Sequence, residues 1–327
     1  MMNKRGALSM KIVFLEKNSL GDDVDVSEFA RFGELEVYPF STNQETRERA
    51  RDADVVFSNK IMMNEETLGE ASKLKYIGIT ATGTNNVDME YVKSRGIAVT
   101  NVAGYSTDSV AQHTFALLFY LLEKQRYFDD FVKSGDYSRS NLFCHYGEKF
   151  WELSGKTWGI IGLGAIGRKV AKIAQAFGCH VIYYSTSGKN NNAQYERTDL
   201  DDLLRRSDIV SVHAPLTEQT EGIMNYEAFA KMKKSALFIN VGRGPIVNEA
   251  DLARALEEDL IAGAGLDVMT KEPLPADSPL LKIQDSKKLF ITPHIAWASI
   301  EARKRLVQEL ILNLEGYLSG ENRNRIL

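Results

Sequence analysis

Short runs of β-branched and apolar residues alternate along the chain with longer stretches of helical spacing. Residues 12–15, 36–39, 55–58, 76–80 and 98–102 read as strands, and helix-like spacing fills the intervals. A second series runs through 158–162, 181–184, 209–213, 236–240, 263–267 and 289–292. These runs are apolar on both faces, as in a parallel sheet covered by helices on each side. The alternation predicts an α/β protein of βαβ units. Two series in 327 residues predict two domains.

Between the series lies a helical segment at about 107–127, then a polar, aromatic stretch at 129–150. That stretch has neither period and reads as a loop or an arm. Phe131, Tyr137, Phe143, Tyr146, Phe150 and Trp151 are many aromatics for a solvated loop. They either cover the chain's own surface or, the preferred reading, pack against another subunit. The chain closes on a helix at about 299–319 with no strand after it. Docked on the first domain, that helix would make the domain discontinuous, with crossings near 102–106 and 293–298. The first ten residues are polar and basic, lack the apolar core of a signal peptide, and read as a loose extension.

Composition narrows the function classes. Hydrophobic residues make up 44% and charged residues 26%, an ordinary globular balance. With 40 Lys and Arg against 44 Asp and Glu, the net charge of −4 argues against a nucleic-acid-binding surface. No apolar run approaches the roughly 20 residues that span a membrane. The two cysteines, Cys144 and Cys179, build neither a disulfide framework nor a CxxC metal site. They read as free thiols of a reducing compartment, so the cytoplasm is the expected location.

Gly162-Leu163-Gly164-Ala165-Ile166-Gly167 is a GxGxxG that follows a predicted strand and opens a predicted helix, the context a dinucleotide site requires. Gly162 permits the tight turn, Gly164 lets the backbone approach a pyrophosphate, and Gly167 lets helix and strand pack closely. The helix start then offers free N–H groups and a positive dipole end. An acidic residue is expected at the end of the next strand to hold a ribose 2′-hydroxyl. Here the chain reads Tyr184-Ser185-Thr186-Ser187-Gly188-Lys189, without an acid. Either NAD(H) or NADP(H) is compatible with that loop.

Five histidines are present: His113, His145, His180, His213 and His294. His113, on a helix, and His180, opening a strand, read as structural. His145 lies in the aromatic arm. His213 and His294 follow strands, at the edge where open parallel sheets bind ligands. Arg243, in the turn Asn240-Val241-Gly242-Arg243-Gly244, falls at the same edge, as does Glu272. An Arg in such a turn suits bidentate carboxylate binding, and Arg243, Glu272 and His294 come from three successive strand-end loops. Asp88 reads as a helix cap.

With these motifs the sequence resembles the D-isomer-specific 2-hydroxyacid dehydrogenases. The matching stretches are ATGTNNVD (81–88), GYSTDSVAQHTFALL (104–118), GKTWGIIGLGAIGRKVA (155–171), INVGRGPIVNEADLARAL (239–256), AGLDVMTKEPLP (264–275) and TPHIAWAS (292–299). ATGTNNVD, GYSTDSVAQHTFALL and HIAWA look most like the glycerate dehydrogenase/hydroxypyruvate reductase branch. The resemblance implies an α/β fold of two doubly wound parallel-sheet domains, flavodoxin-like and Rossmann, with the active site in the cleft between them. A discontinuous substrate-binding domain would take 11–103 plus 299–327. The NAD(P)-binding domain would take 104–298, including a dimerisation arm at about 127–150, in a homodimer.

The same resemblance implies Arg243, Glu272 and His294 as the catalytic trio, acting on a small 2-keto or 2-hydroxy acid with a nicotinamide dinucleotide. Ala81, Thr82, Gly83, Arg243, His294 and Trp297 would line the substrate site. Cofactor contacts would be Thr82, Gly162, Gly164, Ala165, Ile166, Gly167, Ser185, Ala214, Val241, Asp267 and His294. Hydroxypyruvate is the expected substrate, with D-lactate and glyoxylate chemistry as rivals within the family. A dinucleotide-sensing, corepressor-like binding protein is the alternative of another class.

Overall fold

The computed structural model describes residues 10–327. The expected loose extension therefore lies outside the described residues, except Met10, which opens the first strand rather than ending the extension. In chain order the strands are β1 (Met10–Phe14), β2 (Gly33–Val37), β3 (Val55–Ser58), β4 (Tyr76–Ile79), β5 (Ala98–Thr100), β6 (Thr157–Ile161), β7 (His180–Tyr184), β8 (Glu196–Arg197), β9 (Ile209–Val212), β10 (Leu237–Asn240), β11 (Gly263–Leu266) and β12 (Leu289–Ile291). The α-helices are α1 (Asn43–Ala50), α2 (Glu65–Leu68), α3 (Met89–Ser94), α4 (Thr107–Leu122), α5 (Gln125–Lys133), α6 (Ala165–Ala176), α7 (Leu200–Arg206), α8 (Tyr226–Lys231), α9 (Glu249–Glu257) and α10 (Ile300–Ser319). The described residues form two compact units, one of residues up to 106 with 298–327 and one of residues 107–297.

The first unit holds a five-stranded parallel sheet of order β2-β1-β3-β4-β5, the flavodoxin-like order. One face packs Val13, Val56, Ile77 and Val99 into an aliphatic core. On the other, Phe14 stacks on Phe57 at 4.4 Å and Phe29 meets both rings edge-on. α10 belongs to this unit. Its Tyr317 ring lies 4.9 Å from Tyr76, and Asn313 Nδ2 donates to the Asn101 carbonyl at 3.0 Å. β2 sits earlier than the expected 36–39. It is an edge strand paired on one side only, with Gly33 opposite Met10, so its charged Glu34 and Glu36 alternate with Leu35 and Val37 and hide the strand pattern. Asp88 caps α3, its carboxylate accepting from the Tyr91 N–H.

The second unit holds a seven-stranded parallel sheet of order β12-β11-β10-β9-β6-β7-β8. Alternate residues of each strand enter separate cores. Ile160, Tyr183 and Ile239 face α4 and α6, while Ile161, Ile182 and Phe238 face the cluster of Leu203, Phe229 and Leu252. That two-sided burial explains the uninterrupted apolar strands. The chain runs β6 to β7 to β8 in one direction and resumes at β9 on the other side of β6. A topological switch point therefore lies between β6 and β9.

The expected single helix at about 107–127 is instead two. α4 ends at Leu122, Lys124 adopts a left-handed backbone (φ 52°), and α5 follows. Part of the stretch expected to be a loop is thus helical. The face carrying Tyr127, Phe128 and Phe131 is amphipathic, but it covers the stretch after it rather than the sheet. Phe131 stacks on His145 at 3.7 Å and the Tyr127 hydroxyl lies 2.7 Å from His145 Nε2. No helix among the described residues is long and apolar enough to cross a membrane.

Candidate active site

Strand register builds the edge on which the second unit's chemistry stands. Ile161 pairs with Val212, Val212 with Asn240, Asn240 with Leu266, and Leu266 with Ile291. The residues that follow each strand therefore emerge side by side: Gly162, His213 and Ala214, Val241 to Arg243, Asp267, and Thr292 to His294.

The glycine loop leaves β6 at the switch point. Gly162 has φ 91°, and a Cβ there would come within 2.8 Å of the Ala214 backbone. A Cβ on Gly167 would fall 2.3 Å from the Gly162 carbonyl oxygen, so helix α6 can lie against the strand only without one. A Cβ on Gly164 would meet nothing within 4 Å. The space outside that turn is open, and Gly164 caps α6 without a side chain. Arg168 N–H donates to the Gly164 carbonyl at 2.9 Å. The earlier N–H groups, of Ala165, Ile166 and Gly167, lie in the first turn, which has no intrahelical acceptors. An open concavity rimmed by N–H donors at a helix start fits a pyrophosphate. The loop after β7 closes one side of it. The Ser185 hydroxyl accepts from Asn190 N–H at 3.2 Å, and Asn190 Nδ2 donates to the Leu163 carbonyl at 2.5 Å. The sequence reading passed over Asn190, which ties this loop to the glycine loop.

Arg243 sits in a turn shaped from beneath. The fully buried Asn240 accepts from Gly242 N–H at 3.0 Å and donates to the Arg243 carbonyl at 3.0 Å. Arg243 Nη1 donates to the Gly242 carbonyl at 2.8 Å, and among the described residues no ion pair holds the guanidinium. A Cβ on Gly244 would lie 1.9 Å from the Met269 carbonyl carbon. Glycine there lets the Arg243 turn press against the loop that carries Glu272.

Glu272 is held at both oxygens. Oε1 accepts from Met269 N–H at 3.1 Å, and Oε2 lies 2.7 Å from His294 Nδ1. Because the carboxylate accepts, Nδ1 carries the proton and Nε2 becomes the atom that exchanges one. His294 itself has φ 55°, uncommon for a residue with a Cβ. Asp267 anchors it. The Asp267 carbonyl accepts from His294 N–H at 2.8 Å, and its carboxylate accepts from the N–H groups of Ile295 and Ala296, both at 2.8 Å, and from the Thr292 hydroxyl at 2.6 Å. Trp297 is half-buried against the cluster that contains Leu163 and Ala296. Ala214 and Val241 are buried at the same edge.

His213 is half-buried, its Nε2 2.9 Å from the Ser211 hydroxyl and its Nδ1 covered and without a partner; loss of water around the ring holds it well below the ordinary histidine range, at about 3. It is neutral and does no proton transfer near neutral pH. His180 is exposed at the start of β7, away from this edge.

In the first unit, Ala81, Thr82 and Gly83 follow β4. The Thr82 hydroxyl donates to the Val102 carbonyl at 2.8 Å, Asn101 Nδ2 donates to the Thr82 carbonyl at 2.7 Å, and Val102 N–H donates to the Ala81 carbonyl at 3.0 Å. Beside it, Glu16 Oε2 accepts from Ser58 Oγ and from Asn59 N–H at 2.8 Å, and from Lys60 N–H at 2.9 Å, fixing the turn after β3.

Comparison with known proteins identifies the family. Residues 115–296 match the model of the D-isomer specific 2-hydroxyacid dehydrogenase NAD-binding domain. The chain is 37% identical over 318 residues to the glycerate dehydrogenase of Methylorubrum extorquens, covering 97% of this chain and 99% of that one. It is 39% identical over 319 residues to the hydroxypyruvate reductase of Blautia hydrogenotrophica, covering 95% and 98%. Among solved structures, the acyclic imino acid reductase Bsp5, in complex with NADPH and D-Arg, superposes with a TM-score of 0.85 at 32% identity, over 97% of this chain and 100% of that one. A switch-point glycine loop, a His–Glu pair and a strand-end Arg thus stand within a sequence match that spans nearly the whole chain: the protein belongs to the D-isomer specific 2-hydroxyacid dehydrogenase family.

Proposed function

We propose that this enzyme interconverts hydroxypyruvate and D-glycerate, with glyoxylate and pyruvate as the rival small substrates. The observation that carries the reading is the 2.7 Å contact between His294 Nδ1 and Glu272 Oε2, beside a turn that presents Arg243. A reduced nicotinamide dinucleotide, its pyrophosphate held at the glycine loop, would supply the hydride for reduction at C2 of the keto acid. The guanidinium of Arg243 binds the substrate carboxylate and polarises the C2 carbonyl. His294 Nε2–H gives its proton to the carbonyl oxygen as charge develops there; in oxidation, neutral Nε2 takes the hydroxyl proton back. Glu272 keeps the imidazole in the tautomer and orientation that put Nε2 forward, and stabilises the imidazolium.

Ala81, Thr82 and Gly83 are further carboxylate contacts through the loop's N–H groups, and Trp297 shapes the substrate pocket. Gly162, Gly164, Ala165, Ile166 and Gly167 hold the pyrophosphate. Thr82, Ser185, Ala214, Val241 and the remaining acceptor position of Asp267 are the other dinucleotide contacts. The family relationship and the lack of an acid at 185–189 support NAD(H) or NADP(H) alike. The arm at 127–150 supports a homodimer, since Phe143 and Tyr146 are 88% and 78% exposed. The free thiols Cys144 and Cys179 support a cytoplasmic location.

The test is loss of reduced-nicotinamide absorbance with NADH and NADPH against hydroxypyruvate, glyoxylate, pyruvate and phosphohydroxypyruvate. Rapid turnover of hydroxypyruvate is expected. Turnover of pyruvate alone would move the assignment to lactate chemistry, and no turnover in any combination would favour the dinucleotide-sensing reading.

A further inference from the structure

His113 enters neither the sequence motifs' chemistry nor the mechanism above, yet it ends a buried chain that reaches the proton donor. It lies on α4, with Nε2 2.9 Å from the Thr292 hydroxyl, 179 residues away. The Thr292 hydroxyl in turn lies 2.6 Å from Asp267 Oδ1. Proton counting orients the chain. An ionised carboxylate only accepts, so the single hydroxyl proton of Thr292 goes to Asp267, and the hydroxyl must accept from His113 Nε2–H. Nε2 is 3.6 Å from Asp267 Oδ1, too far for a direct bond. Burial lowers His113 below the ordinary histidine range even with Asp267 nearby. The donor is therefore the neutral imidazole in its Nε2–H form.

Asp267 is the hinge of the arrangement. Its carboxylate and carbonyl take the N–H groups of His294, Ile295 and Ala296. These bonds hold His294 in its left-handed backbone, a strained conformation that persists only when the surroundings determine it. A carboxylate free to rotate about its last bond would meet the Ile295 and Ala296 N–H groups less well, and the Thr292 hydroxyl stops that rotation.

We propose that His113 is a positioning residue for the reaction: through Thr292 it locks the Asp267 carboxylate, and so fixes the backbone turn that aims His294. The inference rests on His294 being the proton donor, and the experiment separates the two. His113→Leu should lower kcat for hydroxypyruvate reduction by about 10- to 100-fold, the range that a small misplacement of a reacting group costs, a larger change than any in the dinucleotide Kd. Thr292→Val should do the same, and it serves as the test if His113→Leu does not fold. The double variant should be no slower than the slower single, because both changes break one chain. His113→Gln, whose amide donates from a similar reach, should restore most of kcat. A purely structural role would lower Tm and leave kcat in place. Wild-type kcat in folded His113→Leu, no rescue by Gln, or multiplying effects of the two single variants would overturn the inference. His294→Gln is measured alongside. If it is slow while His113→Leu is not, only the positioning role falls. If His294→Gln keeps the wild-type rate, the proton-donor reading itself falls.

Discussion

His294 Nδ1 lies 2.7 Å from Glu272 Oε2, while the other oxygen of the same carboxylate accepts from Met269 N–H at 3.1 Å. The carboxylate is thus pinned from one side and orients the imidazole from the other. Replacing His294 with Gln removes the exchangeable proton and should lower kcat at least 100-fold, the usual contribution of a positioned acid–base group. Glu272→Gln retains the shape but removes the charge that stabilises the imidazolium, and should lower kcat by about tenfold or more with the dinucleotide Kd unchanged. Steady-state kinetics with hydroxypyruvate and fluorescence titration with NADH make the two measurements. Unchanged kcat in both variants would remove the pair from the mechanism.

Arg243 presents a planar fork that matches a carboxylate bidentately, and Lys cannot reproduce it. Arg243→Ala should abolish saturable keto-acid kinetics while dinucleotide binding persists. Arg243→Lys should raise KM and lower kcat together, because the role proposed for the residue is both to bind and to polarise. A variant that loses dinucleotide affinity with normal keto-acid kinetics would place Arg243 on the wrong ligand.

Much of this was legible in the sequence for a physical reason. Trp158, Ile160, Ile182 and Tyr183 are buried on both faces of one sheet, so parallel strands announce themselves as unbroken apolar runs. The glycine loop is equally legible, because close backbone approach at Gly162 and Gly167 admits no other residue. Edge strand β2, with its charged alternate positions, and helix α5, with no residue fully buried, carry weaker patterns because neither faces a complete core. The chain from His113 to Thr292 and Asp267 is invisible in sequence, since a single contact across 179 residues leaves no period. Asn190 and Asn240 escape for a similar reason: each shapes a turn through one amide whose partner only the fold selects.

The glycine loop separates packing from binding. Gly167→Ala places a methyl carbon 2.3 Å from the Gly162 carbonyl oxygen and should cost about 1–3 kcal/mol of stability as helix α6 is pushed off the strand. Gly164→Ala meets nothing within 4 Å and should fold with wild-type stability, yet the methyl occupies the space a pyrophosphate needs. Urea denaturation should therefore distinguish the two variants, while NADH titration should show weakened binding in both. Wild-type affinity in Gly164→Ala would mean that the dinucleotide does not approach this turn.

Leu142, Phe143 and Tyr146 form an exposed apolar rim on the arm, at 62%, 88% and 78% exposure. A solvated rim of this kind is a liability in a monomer. If the arm joins two copies as proposed, Phe143→Glu combined with Tyr146→Glu should give a monomer in sedimentation equilibrium at micromolar concentration, where the unaltered protein sediments as a dimer. A wild-type protein that sediments as a monomer would contradict the assignment of the arm.

His213 gives the stability of the fold a defined acid dependence. Its imidazole lies half-buried beside Ser211, with Nδ1 covered and unpartnered, and desolvation pushes its pKa down to about 3. In the unfolded chain the same group titrates near the ordinary value of about 6.5. Between those limits the unfolded state binds a proton that the folded state refuses, so stability rises with pH across the window. Read downward, stability is lost as the pH falls below about 6.5, and the loss from this group is complete only near pH 3. One such proton corresponds to a slope of at most about 1.4 kcal/mol per pH unit. His213→Gln removes the titrating group while keeping a polar side chain beside Ser211. Urea denaturation at pH 7, 6, 5 and 4 should therefore give a shallower decline for the variant, by roughly 1 kcal/mol per unit below pH 6, whatever its stability at pH 7. Parallel declines for the two proteins would mean that His213 takes up its proton in the folded state.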